Sequence, residues 1–174
     1  MNKIEELASK LAGGAKAAKA TWEGLTGVFR HLEKEHGEVS ALLMRLKASH
    51  DPDVRRELFP TIRRELLAHE RAEISEVYPV MQSDPQTADI ASSHDRGAKG
   101  LDAAIDELTK VAVDSPHWPA ALEDLIELVK EHVREEEHDY FPIAQRVFSD
   151  RADDLLERFE AAKARALQEL RTTP

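Results

Sequence analysis

The sequence predicts an all-α protein, an up-down-up-down four-helix bundle with an N-terminal helical arm and a C-terminal helix. Two observations lead to this prediction. Apolar residues recur with the period of a helix over four long segments, and short stretches rich in Pro, Asp and Ser separate these segments. In addition, each segment carries one inward-facing His, and the midpoints between consecutive histidines fall at or near the predicted turns. Antiparallel helices would therefore place the four histidines at one level.

Residues 1–20 are predicted to form an N-terminal helical extension. Leu7 and Leu11 give it a short amphipathic stretch, which Gly13-Gly14 is expected to interrupt. The pattern fits an arm that frays as well as one that packs on the bundle or on another subunit.

The bundle itself is predicted over residues 21–149. Asp51-Pro52-Asp53 should end its first helix and cap the second, because Pro cannot continue a helix and Asp accepts from free backbone N–H groups. Residues 150–174 form a last amphipathic segment, which would cover the bundle or make a dimer contact. The four predicted bundle helices are about Thr21 to His50, Pro52 to Met81, Gln86 to Val113 and Pro119 to Phe141.

Composition restricts the classes of function. The 174 residues and 41% hydrophobic content suit one domain, and the net charge of -10 argues against a nucleic-acid or anionic-membrane partner. The absence of Cys excludes disulfides, iron–sulfur clusters and thiol catalysis. The charged first residues and the lack of a long apolar run predict no secretory leader and no membrane span, so a cytoplasmic location is expected. Monomer and homodimer both remain open.

A repeated motif lies in the second and fourth helices. His69 and Glu73 precede Tyr78-Pro79, and His132 and Glu136 precede Phe141-Pro142 in the same register, so both copies read His-x3-Glu-x4-aromatic-Pro. Residues four apart share one helix face, and the apolar stripes place both pairs inward. A carboxylate in an apolar interior needs a counter-charge or a metal, so the sequence predicts a metal site.

Histidines complete the predicted set. His36 and His94 lie on the inward stripes of the first and third helices, level with the two repeated pairs. Imidazoles with carboxylates suit one or two first-row transition metals, and iron is favoured where carboxylates can bridge. The remaining histidines, expected to be solvated or capping, are His31, His50, His117 and His138.

These motifs resemble the hemerythrin-like, or HHE cation-binding, family over about residues 25 to 165. The resemblance implies a hemerythrin-like bundle and a non-haem di-iron centre, with two Fe ions per chain, two His per iron and an oxo or hydroxo bridge. It also implies that Glu73 and Glu136 bridge the irons, and that dioxygen, peroxide or nitric oxide is the small-molecule ligand. The implied metal ligands are His36, His69, Glu73, His94, His132 and Glu136.

Two departures separate this chain from the oxygen-carrying members of the family. Those carry a second His in the third helix, where this chain has Ala98, and a carboxylate five residues after the fourth-helix His, which here would be Glu137. Glu136 fits the inward stripe better. Candidates for a position left open by Ala98 are Glu70, Glu137 and Tyr140, and Tyr140 is also predicted to contact a bound oxygen species as a cofactor-binding residue.

Three classes of function follow: a protein that binds dioxygen or a related ligand, a di-iron peroxidase or ferroxidase, and an iron-responsive sensor or storage protein. The Ala98 position favours turnover or sensing over reversible oxygen carriage. A ferritin-like site would use Glu33-x-x-His36 and Glu135-x-x-His138, but Glu135 and His138 lie off the inward stripe. A zinc-peptidase motif is rejected because Glu73 stands where a second His is required.

Overall fold

The computed structural model describes residues 3–172, without the side chains of residues 4, 95, 96 and 172. The first two residues of the predicted extension and the last two of the predicted C-terminal segment lie outside this range. The described part of the chain is all-α, as predicted. Its helices are α1 (Lys3–Trp22), α2 (Gly27–Ala48), α3 (Pro52–Ala72), α4 (Tyr78–Gln82), α5 (Ala88–Lys110), α6 (Trp118–Glu135), α7 (Phe141–Phe148) and α8 (Ala152–Thr172).

Two of the bundle helices are composite. A π-helical segment, Glu73–Val77, joins α3 to α4 without a break, and a second, Glu136–Tyr140, joins α6 to α7. The fourth helix of the bundle was predicted to end at about Phe141, but it continues to Phe148. Pro142 occupies the first turn of α7, directly after the wide π turn, where a missing backbone N–H is tolerated.

The bundle consists of α2, the α3–α4 rod, α5 and the α6–α7 rod. At one end, Arg55 at the start of α3 donates to the Val113 carbonyl in the α5–α6 turn at 2.8 Å. At the other end, the backbone N–H of Thr26 before α2 donates to Gln145 of α7 at 2.8 Å. Asp51 caps α3 as predicted, accepting from the Asp53 N–H at 2.8 Å.

The boundary between α1 and α2 differs from the prediction. Gly13-Gly14 does not break α1, because α1 packs closely against α2 there: a Cβ on Gly13 would lie 2.7 Å from the Lys34 carbonyl oxygen. The turn comes later, at Gly24 and Gly27, which have positive φ angles of 85° and 48°. The first bundle helix consequently begins at Gly27 rather than at Thr21.

Helix α1 contacts the bundle through its polar side. Ser9 donates to the Glu38 carbonyl at 2.9 Å, and Arg45 lies 3.4 Å from Glu5. The predicted apolar stripe faces outward instead, with Leu7 and Leu11 59% and 66% exposed. Helix α8 packs on α2, on α3 and on the first π-helical segment.

The apolar interior is divided into two clusters along the bundle axis. One cluster contains Leu42, Leu66 and Leu101 and extends toward the α2–α3 and α5–α6 turns. The other contains Leu32 and Phe141 and extends toward the α4–α5 turn. The four inward histidines lie between the two clusters, so the bundle carries a polar layer in the middle of its core. Within the described range, no helix combines the length and the apolar character that a membrane crossing requires.

Candidate metal centre

Four imidazoles converge in the polar layer, one from each bundle helix. The Nε2 atoms of His36 and His94 each lie 3.2 Å from an oxygen of Glu136, on opposite oxygens of that carboxylate. The Nε2 atom of His69 lies 3.2 Å from Glu73 Oε2, and that of His132 lies 3.5 Å from Glu136 Oε2. The structure thus brings all six sequence-predicted metal ligands into one layer.

A third carboxylate, Glu70, completes the layer. Its two oxygens lie 3.3 Å from the Nε2 atoms of His94 and His132, and its side chain is buried. The sequence identified Glu70 only as one of three candidates for an open position. The spacing does contain a signal, because Glu70 lies four residues after the buried Leu66 and so flanks the inward stripe.

Two groups of donor atoms can be distinguished within this layer. In each group the ligand atoms lie within 4.8 Å of one another. Glu136 lies close to His36 of one group and to His94 and His132 of the other. Glu73 also lies between the groups, with its Oε2 3.2 Å from His69 Nε2 and 3.9 Å from His94 Nε2. The first group is Glu70, Glu73, His94 and His132, and the second is His36, His69 and Glu136.

These inward atoms lack hydrogen bonds. Within the described part of the chain, the Nε2 atoms of all four histidines have no hydrogen-bond partner. The same is true of both carboxylate oxygens of Glu70, both of Glu73, and Oε2 of Glu136. Buried polar atoms are normally satisfied, since leaving each one unpaired costs about 1–3 kcal/mol. Imidazole nitrogens with carboxylate oxygens are the donors that first-row transition metals prefer. The residues present therefore fit a metal centre.

The outer ring nitrogens of two histidines are held by carboxylates. His36 Nδ1 lies 3.0 Å from Glu137 Oε1, and His69 Nδ1 lies 2.8 Å from Glu35 Oε2. An Nδ1–H donated outward leaves the Nε2 lone pair directed into the layer, which is the usual way of orienting a ligating His. Glu137 is thus placed outside the layer and Glu136 inside it.

Each of these outer carboxylates also pairs with a lysine from a helix outside the bundle. Lys16 of α1 forms a salt bridge with Glu137, and Lys163 of α8 lies 2.8 Å from Glu35. His31, expected to face solvent, instead contacts Glu35 through Nε2 at 3.0 Å and is only partly exposed. Sequence reasoning missed the role of Glu35, because two of its three partners come from other helices, His69 from α3 and Lys163 from α8.

The π-helical segments change which residues face the layer. The N–H of Tyr78 donates to the Glu73 carbonyl and that of Phe141 to the Glu136 carbonyl, five residues back in each case. The extra residue shifts the helix by about 100°. The next residue to face the layer after Glu73 or Glu136 is therefore the fifth residue along the chain, Tyr78 or Phe141, rather than the fourth.

This shift corrects the predictions for the two tyrosines. Tyr140, predicted to contact a bound oxygen species, has its hydroxyl 3.3 Å from Glu135 Oε2, directed away from the layer. Tyr78, interpreted only as helix-end packing, donates from its hydroxyl to Glu136 Oε1 at 2.7 Å. Its ring also stacks on His94, with 3.5 Å between the ring centroids.

The other sequence alternatives are not formed. His50, His117 and His138 are exposed, as expected. Glu33 is buried but belongs to neither donor group, and His138 points to solvent, so the ferritin-like pairing is absent from the described residues. Ala98 is buried and offers no ligand atom.

Charge in the layer shifts several pKa values. Burial raises the pKa of Glu73, and the charge of Glu136 raises it further. Burial opposes the charged form of His132, but the neighbouring carboxylates Glu136, Glu70 and Glu73 together outweigh it and raise the pKa of His132 to about 10. Burial likewise opposes the charged form of Glu136, yet His132, His36 and His94 together hold the pKa of Glu136 well below its usual range. The protonated form of His132 and the ionised form of Glu136 therefore stabilise each other.

Comparison with known proteins supports a cation-binding layer. The chain is 26% identical over 140 residues to a protein named DNA nickase from Nostoc sp. (strain PCC 7120 / SAG 25.82 / UTEX 2576). The matched segment makes up 80% of this chain. The chain in turn covers 40% of that relative's length. No solved structure matches the chain. The family described as hemerythrin HHE cation binding domain matches residues 27–144, the segment that contributes every residue of the two donor groups. The chain belongs to the hemerythrin HHE cation-binding domain family.

Proposed function

We propose that this protein is a non-haem di-iron protein that binds dioxygen or a related small ligand, peroxide or nitric oxide, at the His/Glu layer. Two donor groups side by side support two metal positions. Iron would supply reversible redox chemistry and affinity for such ligands. The chain's own residues hold the two positions, orient the histidines and keep the layer away from bulk water.

The ligand set of this proposal includes Glu70 beside the six residues predicted from the sequence. Glu73 and Glu136 act as bridging carboxylates, because each contacts histidines of both donor groups. Setting these bridges aside, one position keeps three terminal donors, His94, His132 and Glu70, while the other keeps two, His36 and His69.

The unequal number of terminal donors is the observation that carries the proposal. The position at His36 and His69 has one protein donor fewer, and this is where an external ligand would bind. Both of these histidines also line a cavity of about 250 Å³. A fully ligated structural site would give both positions the same closed set of protein donors.

The same asymmetry favours turnover of peroxide as the second candidate function. In this chain Glu70 stands close to His94 and His132, and Ala98 offers no imidazole where an oxygen carrier has an additional His. A carboxylate stabilises the oxidised form of iron more than an imidazole does, because it adds a negative charge to the site. Reversible dioxygen carriage is therefore less favoured than a redox reaction.

Reconstitution with ferrous iron tests this proposal. Protein loaded under anaerobic conditions should hold two irons per chain, and exposure to air or peroxide should give new near-ultraviolet absorption bands. Return of the starting spectrum after removal of oxygen indicates a carrier, whereas sustained loss of peroxide indicates an enzyme. Absence of bound iron would refute the proposal.

Two variants locate the centre. His69→Ala should reduce the iron content to about one per chain, because it removes one of only two terminal donors at its position. His138→Ala changes an exposed His in the same repeated motif and should leave two irons per chain. Equal iron contents in the two variants would contradict the proposed ligand set.

A further inference from the structure

An apolar cavity of about 250 Å³ lies directly beside the His/Glu layer. Its inner end is formed by residues of the layer, including both histidines of the position with fewer donors. Its wall continues along the bundle axis toward the α2–α3 turn. The inner end is lined by His36, His69, Glu70 and His132, and the wall by Val39, Leu42, Leu66, Leu101 and Val129.

The cavity is larger than dioxygen, peroxide or nitric oxide requires. An engineered apolar cavity of about 150 Å³ already accommodates benzene, and a single water needs only about 10–15 Å³. Ordered water also needs two to four polar partners, which an aliphatic wall does not provide. The size and the lining therefore match an organic molecule rather than a diatomic ligand or a file of waters.

The mouth of the cavity disfavours an anionic ligand. Glu6, Glu38 and Glu65 outnumber the two lysines that line it. Both of these lysines already have partners, since Lys10 lies 2.6 Å from Glu6 and Lys163 lies 3.0 Å from Glu65. A fatty-acid carboxylate would find excess negative charge at this entrance, whereas a neutral molecule would meet no such barrier.

We infer that the cavity binds a neutral organic molecule with an apolar body and one oxygen-bearing head, such as an alkyl or aryl hydroperoxide or the corresponding alcohol. The body lies along the aliphatic wall and the head lies at the inner end, beside His36 and His69. This inference rests on the proposed function only for the role of the head group. Binding of the apolar body depends on the wall alone.

The test uses zinc-loaded protein, which has no redox activity, and 2-phenyl-2-propanol as the probe. Saturable binding of one molecule per chain is expected, observed by methyl NMR of the intact protein. Methyl groups of Leu42, Leu101 and Val129 should shift on titration, while those of the exposed Leu7 and Leu11 should not. Unchanged cavity methyl signals, or shifts shared equally with exposed methyls, would overturn the inference.

A matched pair of substitutions on α6 locates the site. Val129→Phe fills the cavity and should weaken probe binding at least tenfold, while Leu128→Phe adds a ring at a position 43% exposed and should leave it unchanged. Zinc content and circular dichroism establish that both variants are folded and loaded. If Val129→Phe does not fold, the methyl titration of the unmodified protein decides. Binding of 2-methyl-2-phenylpropanoate equal to or tighter than that of the alcohol would overturn the neutral class of ligand.

The two proposals fail separately. Protein that binds no metal but shows probe-induced methyl shifts would refute the di-iron centre and retain the cavity ligand. Protein that loads two metals but does not respond to the probe would retain the centre and refute the cavity ligand.

Discussion

The carboxylate behind His69 offers the sharpest test of how the layer is organised. Glu35 contacts His69 Nδ1 at 2.8 Å, His31 Nε2 at 3.0 Å and Lys163 Nζ at 2.8 Å. Glu35→Gln keeps the shape and one carbonyl acceptor but removes the charge. The imidazole then keeps an acceptor for its Nδ1–H but loses the negative charge that raises its basicity.

The expected loss of metal affinity is tenfold to a hundredfold, the usual cost of removing such an outer partner. This corresponds to about 1.4–2.7 kcal/mol. The loss should be confined to the position at His36 and His69, because Glu35 contacts no His of the other donor group. The fold should survive, since Lys163 keeps Glu65 as a second partner at 3.0 Å.

Competition between the protein and a chromophoric chelator for zinc measures both affinities in one titration. Glu160→Gln is the matched control, because Glu160 is 56% exposed and lies 3.8 Å from His31 Nδ1 without contacting His69. Two unchanged affinities in Glu35→Gln would refute the proposed orienting role. So would an equal loss at both metal positions, or the same loss in the control.

Three further outcomes are expected. Tyr78→Phe removes a hydroxyl that donates to a buried carboxylate and should destabilise the metal-free protein by about 1.5–3 kcal/mol in urea unfolding, while Tyr140→Phe should change stability little. The pKa of His132 is raised to about 10 in the folded protein, against about 6.5 in the unfolded chain. Protonated His132 therefore stabilises the metal-free protein fully below pH 6.5, and this stabilisation is lost as the pH rises to 10. The free energy of unfolding, measured against pH, should fall over this range. Gly27→Ala should lower the free energy of unfolding by at least about 2 kcal/mol, because φ is +48° and the new Cβ would lie 2.3 Å from backbone atoms of α8. Gly100→Ala, whose new Cβ would have no atom within 4 Å, should raise it by about 0.5–1 kcal/mol. Thermal unfolding measures both changes.

The periodicity of apolar residues within each segment was enough to predict most of the fold. The inward stripes and the Pro/Asp turns identified the bundle helices, since burial of one face and the loss of helix geometry at Pro are properties of short segments. The position of the four histidines at one height in the bundle followed from their spacing along the chain and from the antiparallel order of the helices. The layer therefore contains His36, His69, His94 and His132 as the spacing requires.

The errors have a common physical origin in features that depend on more than one helix. The π-helical segments that begin at Glu73 and Glu136 each add one residue to a turn, so the residue that faces the layer comes one position later than in a regular α-helix. Tyr140 was therefore expected to face the layer, whereas the structure directs it outward. Gly13 was interpreted as a helix breaker because its role as a contact for a neighbouring backbone cannot be seen in one segment. The sequence did not show that Glu35 and Glu137 hold the outer nitrogens of histidines, because the fold alone brings these partners together.

The lysines of α1 and α8 have a consequence for motion. Lys16 reaches His36 through Glu137, and Lys163 reaches His69 through Glu35, so each peripheral helix is connected to one imidazole of the same donor group. A change in the direction of either ring would alter the anchoring of a helix that is not part of the bundle. Amide hydrogen exchange in α1 and α8 should therefore respond to events at that donor group, even though neither helix contributes a donor atom to it.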